Sequence, residues 1–296
     1  MKPMIGVIGA GLMGMGMALR LLDGRWPLMV RDIDALREAQ AAAAGAQVAT
    51  DAAALGAQCA LVIVAVVDAA QTEQVLFGPA GAAGAMQPGG CVMLSPTIAP
   101  ADTERFAARL DQMGLACMDA PMSGGPLRAR DGSMSLMVAC GDDVFDPHQV
   151  VLAWLSSRLF RVGSRPGDGA RTKLVNNLLA ATNLAAACEA MLLAEELGLD
   201  ARRTLAVIEQ SSGQSWIGHD RMSRVLADDP AVLAHMALLA KDSALAMGMA
   251  AAIGCEPALG GQAASWFRAA CQSGRADQDD AQLLNWLRAR SAHPAQ

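Results

Sequence analysis

Short apolar runs alternate with helical stretches through the first half of the chain, and then the apolar runs stop. IGVIG, LMV, CALVIVAVV, CVMLS, ACMDAP, MSLMVAC and RLFRVG each hold several apolar residues in succession and read as strands. Several carry no polar face at all, the pattern of parallel strands covered on both sides. Stretches such as TERFAARLDQM lie between them, with apolar residues at helical spacing. AAAAGAQVATDAAALGA reads as a helix, a small strand or turn, and the start of another helix. Strands alternating with helices in this way predict a doubly wound α/β sheet over residues 1–165.

From residue 166 to 296 the pattern is helical only. ARTKLVNNLLAATNLAAACEAMLLAEELGL is one long helical run that stops at Gly198. At roughly 28 residues it spans about 42 Å, enough to link two domains and line the cleft between them. RRTLAVIEQS, DRMSRVLADD, MALLAKDSALAMGMAAAIG, GGQAASWFRAACQSG and AQLLNWLRAR follow, punctuated by glycine and proline. The chain therefore reads as an α/β domain followed by an all-α domain built on the long helix. The alanine-rich face of that helix suggests burial against a second subunit, hence a homodimer or homotetramer.

Composition narrows the function classes. The chain has 296 residues, 53% of them hydrophobic, and a net charge of −6, so a sizeable core is available and a nucleic-acid surface is not indicated. The seven cysteines form no CxxC pair and sit mostly in apolar segments, which reads as free thiols of a reducing compartment. The N-terminus runs straight into the first strand, leaving no room for a signal peptide. No stretch approaches the ~20 uninterrupted apolar residues of a membrane helix. A cytoplasmic protein with no membrane partner is expected. His148, His219, His235 and His293 are scattered, without metal-ligand spacing, and no metal is expected.

The chemistry begins at the first strand. GVIGAGLMGMGMALRLL places Gly9, Gly11 and Gly14 in GxGxxG spacing between a strand and a helix. Gly9 permits the tight turn, Gly11 lets backbone approach a pyrophosphate, and Gly14 lets the helix pack against the strand. The helix's first N–H groups then face the phosphate charge, which makes Ala10, Leu12 and Met13 part of the same loop. Asp32 ends the second strand, close to the roughly 20-residue spacing of a ribose-binding carboxylate. A carboxylate there repels a 2′-phosphate and favours NAD, whereas Arg31 next to it keeps NADP open. Asp32 and Asp34 are also placed to cap the next helix.

Three further motifs carry polar side chains in apolar company. DAPMSGG, from Asp119 to Gly125, follows a strand. Ser123 offers a hydroxyl and Gly124 and Gly125 uncovered N–H groups for a carboxylate or hydroxyl; a plain loop reads equally well. In GDGARTKLVNN, Lys173 and Asn177 lie four apart on one helix face. An ammonium there can give a proton to an oxygen that gathers charge as hydride arrives, and Asn177 can donate to that oxygen or hold the lysine. Lys241–Asp242 in LLAKDSALAM is either a structural ion pair or a charge facing the nicotinamide. Trp216 and His219, in SSGQSWIGHDRM, read as a polar and aromatic loop between helices.

These four motifs, in this order, resemble the β-hydroxyacid dehydrogenase family over nearly the whole chain. The resemblance implies an N-terminal Rossmann domain followed by a helical domain, with the active site in the cleft. It implies Lys173 as catalytic acid/base supported by Asn177, and Ser123, Gly124 and Gly125 as substrate-binding. It implies Val66, Val67, Thr97 and Lys241 as cofactor contacts. Met122 stands where valine is usual and Pro96 where serine is common, and SGRADQDDAQ replaces the family's usual C-terminal stretch. The expected activity is hydride transfer between a small β-hydroxyacid, of 3-hydroxyisobutyrate or sugar-acid type, and NAD. The alternatives are an imine reductase of the same architecture, or a dinucleotide binder without catalysis.

Overall fold

The computed structural model describes residues 2–291 of the chain. The chain packs as two units, Met1–Lys173 and Leu174–Gln296. In the first unit, β1 (Ile5–Ile8), β2 (Leu28–Arg31), β3 (Gln47–Val48), β4 (Leu61–Val64), β5 (Cys91–Leu94) and β6 (Ala116–Asp119) are parallel, in the spatial order β3-β2-β1-β4-β5-β6. The connections carry α1 (Leu12–Asp23), α2 (Ala35–Ala43), α3 (Ala52–Gly56), α4 (Ala69–Phe77) and α5 (Pro100–Gln112).

Period-two alternation sends neighbouring strand residues to opposite faces. Val7, Ile63 and Met93 enter one core with Met17, Ala18 and Leu21 of α1. Ile8, Val62, Val64, Val92 and Leu94 enter another with Leu55, Leu76, Phe106 and Leu110 of α3, α4 and α5. Both faces are covered, so the strands lack a polar side, and this is the Rossmann arrangement read from the sequence. Aspartates define several helix starts: Asp34, Asp51 and Asp68 each accept a backbone N–H of the helix that follows.

The sheet departs from the all-parallel reading beyond β6. β7 (Met122–Ser123) leads into α6 (Gly125–Asp131), and β8 (Ser135–Ala139) then runs antiparallel to both β6 and β7. After α7 (Asp142–Leu155), β9 (Arg158–Gly163) pairs parallel with β8. A buried strand shows apolar residues whichever way it runs, so MSLMVAC carried no sign of its direction.

The second unit is all helix. α8 (Asp168–Glu196) enters it from the first, followed by α9 (Ala201–Glu209), α10 (Trp216–Leu226), α11 (Met236–Ala252), α12 (Ala258–Ala270) and α13 (Leu283–Ser291). Ala181, Leu184, Cys188 and Met191 of α8 pack in one core with Met222, Met236, Phe267 and Trp286. The segment read as a departure at the C-terminal end has a structural task. Asp280 takes Arg221 Nε at 2.5 Å, and Asp279 takes Arg224 and the N–H groups of Leu233 and Ala234.

By length and composition alone α8 is long and apolar enough to cross a membrane, contrary to the expectation from the sequence, with a mean hydropathy of 1.4 over its most apolar stretch. One side of it lines the core of the second unit, whereas Val175, Leu179 and Leu193 of the same helix are exposed. All seven cysteines are free thiols. Burial pushes Cys59 and Cys91 up to about 12 and Cys140 up to about 11. Cys255 is exposed.

Candidate active site

The turn from β1 into α1 depends on two glycines. Gly9 has φ +93°, and a Cβ there would stand 2.8 Å from the Ala65 carbonyl oxygen. A Cβ on Gly14 would stand 1.8 Å from the Gly9 carbonyl oxygen, so the helix packs on the turn only with glycine here. Gly11 is the N-cap of α1 and no side chain caps that end. The free N–H groups of the first turn thus remain for a ligand, with Ala10 buried behind them and Leu12 and Met13 opening the helix.

Asp32 is buried and its carboxylate is tied to this turn. Oδ2 accepts Ala10 N–H at 2.5 Å and Oδ1 accepts Asp34 N–H at 2.8 Å. Asp34, rather than Asp32, caps α2. Arg31 is held by Glu38 at 2.5 Å, and Glu38 also accepts Asp32 N–H at 3.1 Å. Arg37 reaches back over the glycine turn, its Nη1 3.3 Å from where a Gly11 Cβ would be.

The ends of β4 and β5 border the same edge of the sheet, where open α/β folds receive ligands. Val66 packs against Gly9, Val67 is half exposed, and its N–H goes to Gln71 at 3.0 Å. Thr97 follows β5 in the segment Ser95–Ile98. Ser95 is buried, and its Oγ is the buried side-chain oxygen that lacks a hydrogen-bond partner among the described residues. An uncapped helix N-terminus, a carboxylate fixed at the end of β2 and this orphaned hydroxyl are features that fit a dinucleotide.

The DAPMSGG segment is more ordered than a plain loop. Met122 and Ser123 pair with Leu136 and Ser135, Gly124 and Gly125 have φ of +124° and +79°, and α6 begins at Gly125. A Cβ on Gly125 would meet nothing within 4 Å, so that backbone is uncovered. Asp119 at the head of the segment is 2% exposed and accepts the N–H groups of Gly167 at 2.8 Å and Ala170 at 3.1 Å. It therefore bolts the segment to the first turn of α8. Burial, partly offset by those N–H groups, raises the Asp119 carboxyl to about 6.

Lys173 follows one turn later on α8 and is 7% exposed, so its side chain does not stand in bulk water. Asn177, four residues on, is buried too. Its Nδ2 donates to Asp242 Oδ2 at 2.7 Å, and Lys241 Nζ donates to Asp242 Oδ1 at 2.7 Å. The Lys241–Asp242 pair is thus a real ion pair, and it reaches Asn177.

Trp216 and His219 are not in a loop. Ser215 accepts Gly218 N–H, so the helix α10 starts at Trp216, and His219 Nδ1 lies 2.6 Å from Glu209 Oε1. Several small polar residues precede Trp216, and the sequence did not single out which of them caps the helix. Asp119, Asp242 and Ser95 carry polar contacts or an orphaned oxygen that the sequence reading did not assign. Asp119 and Asp242 stand inside quoted motifs, but their partners are 51 and 65 residues away in the chain. Among the described residues no three His, Cys, Asp or Glu side chains form a metal-holding group.

A mostly parallel sheet whose first strand ends in a glycine turn, an uncapped start of α1 and a buried lysine on α8 together define a dinucleotide-dependent oxidoreductase. Residues 4–163 match the NAD binding domain of 6-phosphogluconate dehydrogenase, and residues 167–287 match the NAD-binding domain of NADP-dependent 3-hydroxyisobutyrate dehydrogenase. The chain belongs to the β-hydroxyacid dehydrogenase family and is an NAD(P)-dependent hydroxyacid dehydrogenase. It is 36% identical to an L-threonate dehydrogenase of Cupriavidus necator over 280 residues, 95% of this chain and 94% of that one. A crystal structure of 3-hydroxyisobutyrate dehydrogenase from Salmonella typhimurium superposes with a TM-score of 0.90 at 32% identity, covering 96% of this chain and 100% of that one. An imine reductase from Pseudomonas sp. shares the fold, at a TM-score of 0.65 and 21% identity, over 97% of this chain and 100% of that one.

Proposed function

We propose that the enzyme oxidises a short sugar acid of the threonate kind at its β-hydroxyl, with Lys173 as general acid/base and NAD as the preferred cofactor. The observation that carries this reading is the burial of Lys173 at 7% exposure on the helix that Asp119 fastens to the Ser123–Gly125 segment. Ser123 and the N–H groups of Gly124 and Gly125 hold the substrate carboxylate or a neighbouring hydroxyl. Lys173, as the neutral amine, accepts the hydroxyl proton at Nζ, and returns it when the reaction runs as a reduction. Asn177 donates a hydrogen bond to the same oxygen and steadies it while charge develops there. When bound, the nicotinamide supplies or takes up the hydride.

Gly9, Ala10, Gly11, Leu12, Met13 and Gly14 receive the pyrophosphate, with Val66, Val67, Thr97 and Lys241 as further cofactor contacts. Asp32 selects NAD, and the Arg31–Glu38 pair supports this because it keeps the nearby guanidinium engaged. Residues 1–165 act as the dinucleotide domain and 166–296 as the substrate and dimerisation domain of a cytoplasmic homodimer or homotetramer. A non-catalytic binder gives a buried lysine–asparagine pair no proton to move.

Replacing Lys173 with Ala tests the reading. Turnover of the best acid in a panel of three- to six-carbon hydroxyacids, followed by NADH absorbance, falls by about 10²–10⁴-fold while calorimetric NAD binding stays intact. Unchanged turnover refutes the role of Lys173. A panel in which threonate-like acids are not turned over, and shorter hydroxyacids are, refutes the substrate class.

A further inference from the structure

Asp242 has no part in the chemistry proposed above, and yet its carboxylate is committed on both sides. Oδ2 accepts from Asn177 Nδ2 and Oδ1 from Lys241 Nζ, each at 2.7 Å, with the Asp242 side chain only 10% exposed. An apolar residue of similar size is often as stable as a buried ion pair. What the carboxylate does is settle the orientation of a side-chain amide.

An asparagine amide has a donor end and an acceptor end of nearly the same shape. Asn177 Nδ2 faces the carboxylate, and Asn177 Oδ1 accepts from Asn176 Nδ2 at 3.1 Å. Turning the amide over would set its carbonyl oxygen against Asp242 and leave two buried acceptors unpaired, a costly arrangement. One N–H of Asn177 is spent on Asp242, and the second remains a donor. A donor is what an oxygen gaining negative charge requires; an acceptor at the same place would repel it.

We propose that Asp242 is a positioning residue: it locks Asn177 in the orientation that offers an N–H to the substrate oxygen, and anchors Lys241 with its other oxygen. This rests on the role given to Asn177 in the proposed function. Asp242 itself touches neither substrate nor proton, and its effect passes through Asn177. Replacing it with Asn removes the charge that favours one orientation and takes an acceptor from Lys241, while volume is kept.

A double-mutant cycle on the full-length enzyme tests this, using Asn177→Ala, Asp242→Asn and the pair together. Steady-state kcat and KM are measured with the hydroxyacid that is turned over, NAD affinity by calorimetry, and Tm by thermal melting. Each single variant is expected to lower kcat by about 10- to 100-fold, with substrate KM and NAD affinity changed less than about threefold. The double variant is expected to be no slower than Asn177→Ala alone, because residues acting as a unit are not additive. Effects that multiply overturn the inference, as does a fall in Tm with kcat unchanged in Asp242→Asn. If Asn177→Ala leaves kcat unchanged, the role of Asn177 is wrong and the inference goes with it. If Asn177→Ala is slow and Asp242→Asn is not, the inference alone fails. Should Asp242→Asn not fold, Asp242→Ser, which keeps a small acceptor, carries the same cycle with the same outcomes.

Discussion

The carboxyl of Asp119 gives the most quantitative test of the structure, because its cost can be worked out. It is 2% exposed and ionises near about 6 in the folded chain, against 3.8 in the unfolded one, with burial as the main cause. Its raised value means that the folded state holds the proton more tightly than the unfolded state. The associated stability is fully present below 3.8 and is lost as pH rises through about 6. The charged form costs about 3 kcal/mol at neutral pH, at 1.36 kcal/mol per pKa unit. Asp119→Asn keeps the shape and one acceptor for the Gly167 and Ala170 N–H groups, and has no proton to lose. Urea denaturation of both proteins at about pH 4.5 and about pH 7.5 isolates the linkage. The wild type should lose about 2 kcal/mol relative to Asp119→Asn between those two conditions. A difference that does not change with pH, or one in which the wild type gains, refutes the argument that the carboxyl is ionised at a desolvation cost.

Three other outcomes follow from the geometry. Gly14→Ala puts a Cβ where the Gly9 carbonyl oxygen stands, so stability should fall by roughly 3 kcal/mol and NAD binding be lost in a calorimetric titration; near wild-type behaviour contradicts the close approach. Glu38→Gln weakens the hold on Arg31, and the kcat/KM ratio for NADP over NAD should rise about tenfold, an effect of about 1.4 kcal/mol; a constant ratio removes Glu38 from cofactor choice. Arg221→Ala leaves Asp280 buried without its cation and should cost about 3–5 kcal/mol in denaturant, whereas a loss under about 1 kcal/mol shows that the pair is not isolated from water.

Those features of the chain that were legible in advance are the ones written locally. Strands buried on both faces appear as unbroken apolar runs, and GxGxxG between a strand and a helix needs only six adjacent positions. Lys173 was singled out by its apolar neighbours, and it is buried. What was not legible depends on partners far along the chain. The antiparallel course of β8 follows from where the short helix α6 returns the chain, which the apolar run of β8 does not record. Asp242 is explained only by Asn177, 65 residues earlier. The start of α10 turned on one serine among several that compete to cap it.

The seven free thiols have a practical consequence. A thiol reacts with an electrophile as its nucleophilic thiolate, and burial has made that form scarce at Cys59, Cys91, Cys117, Cys140, Cys188 and Cys271. Cys255 stands exposed in the turn just past α11, the helix that carries Lys241 and Asp242. A maleimide dye will therefore mark that helix in the unmodified enzyme, and its fluorescence can follow the second unit as ligands bind, with no cysteine engineered in or out.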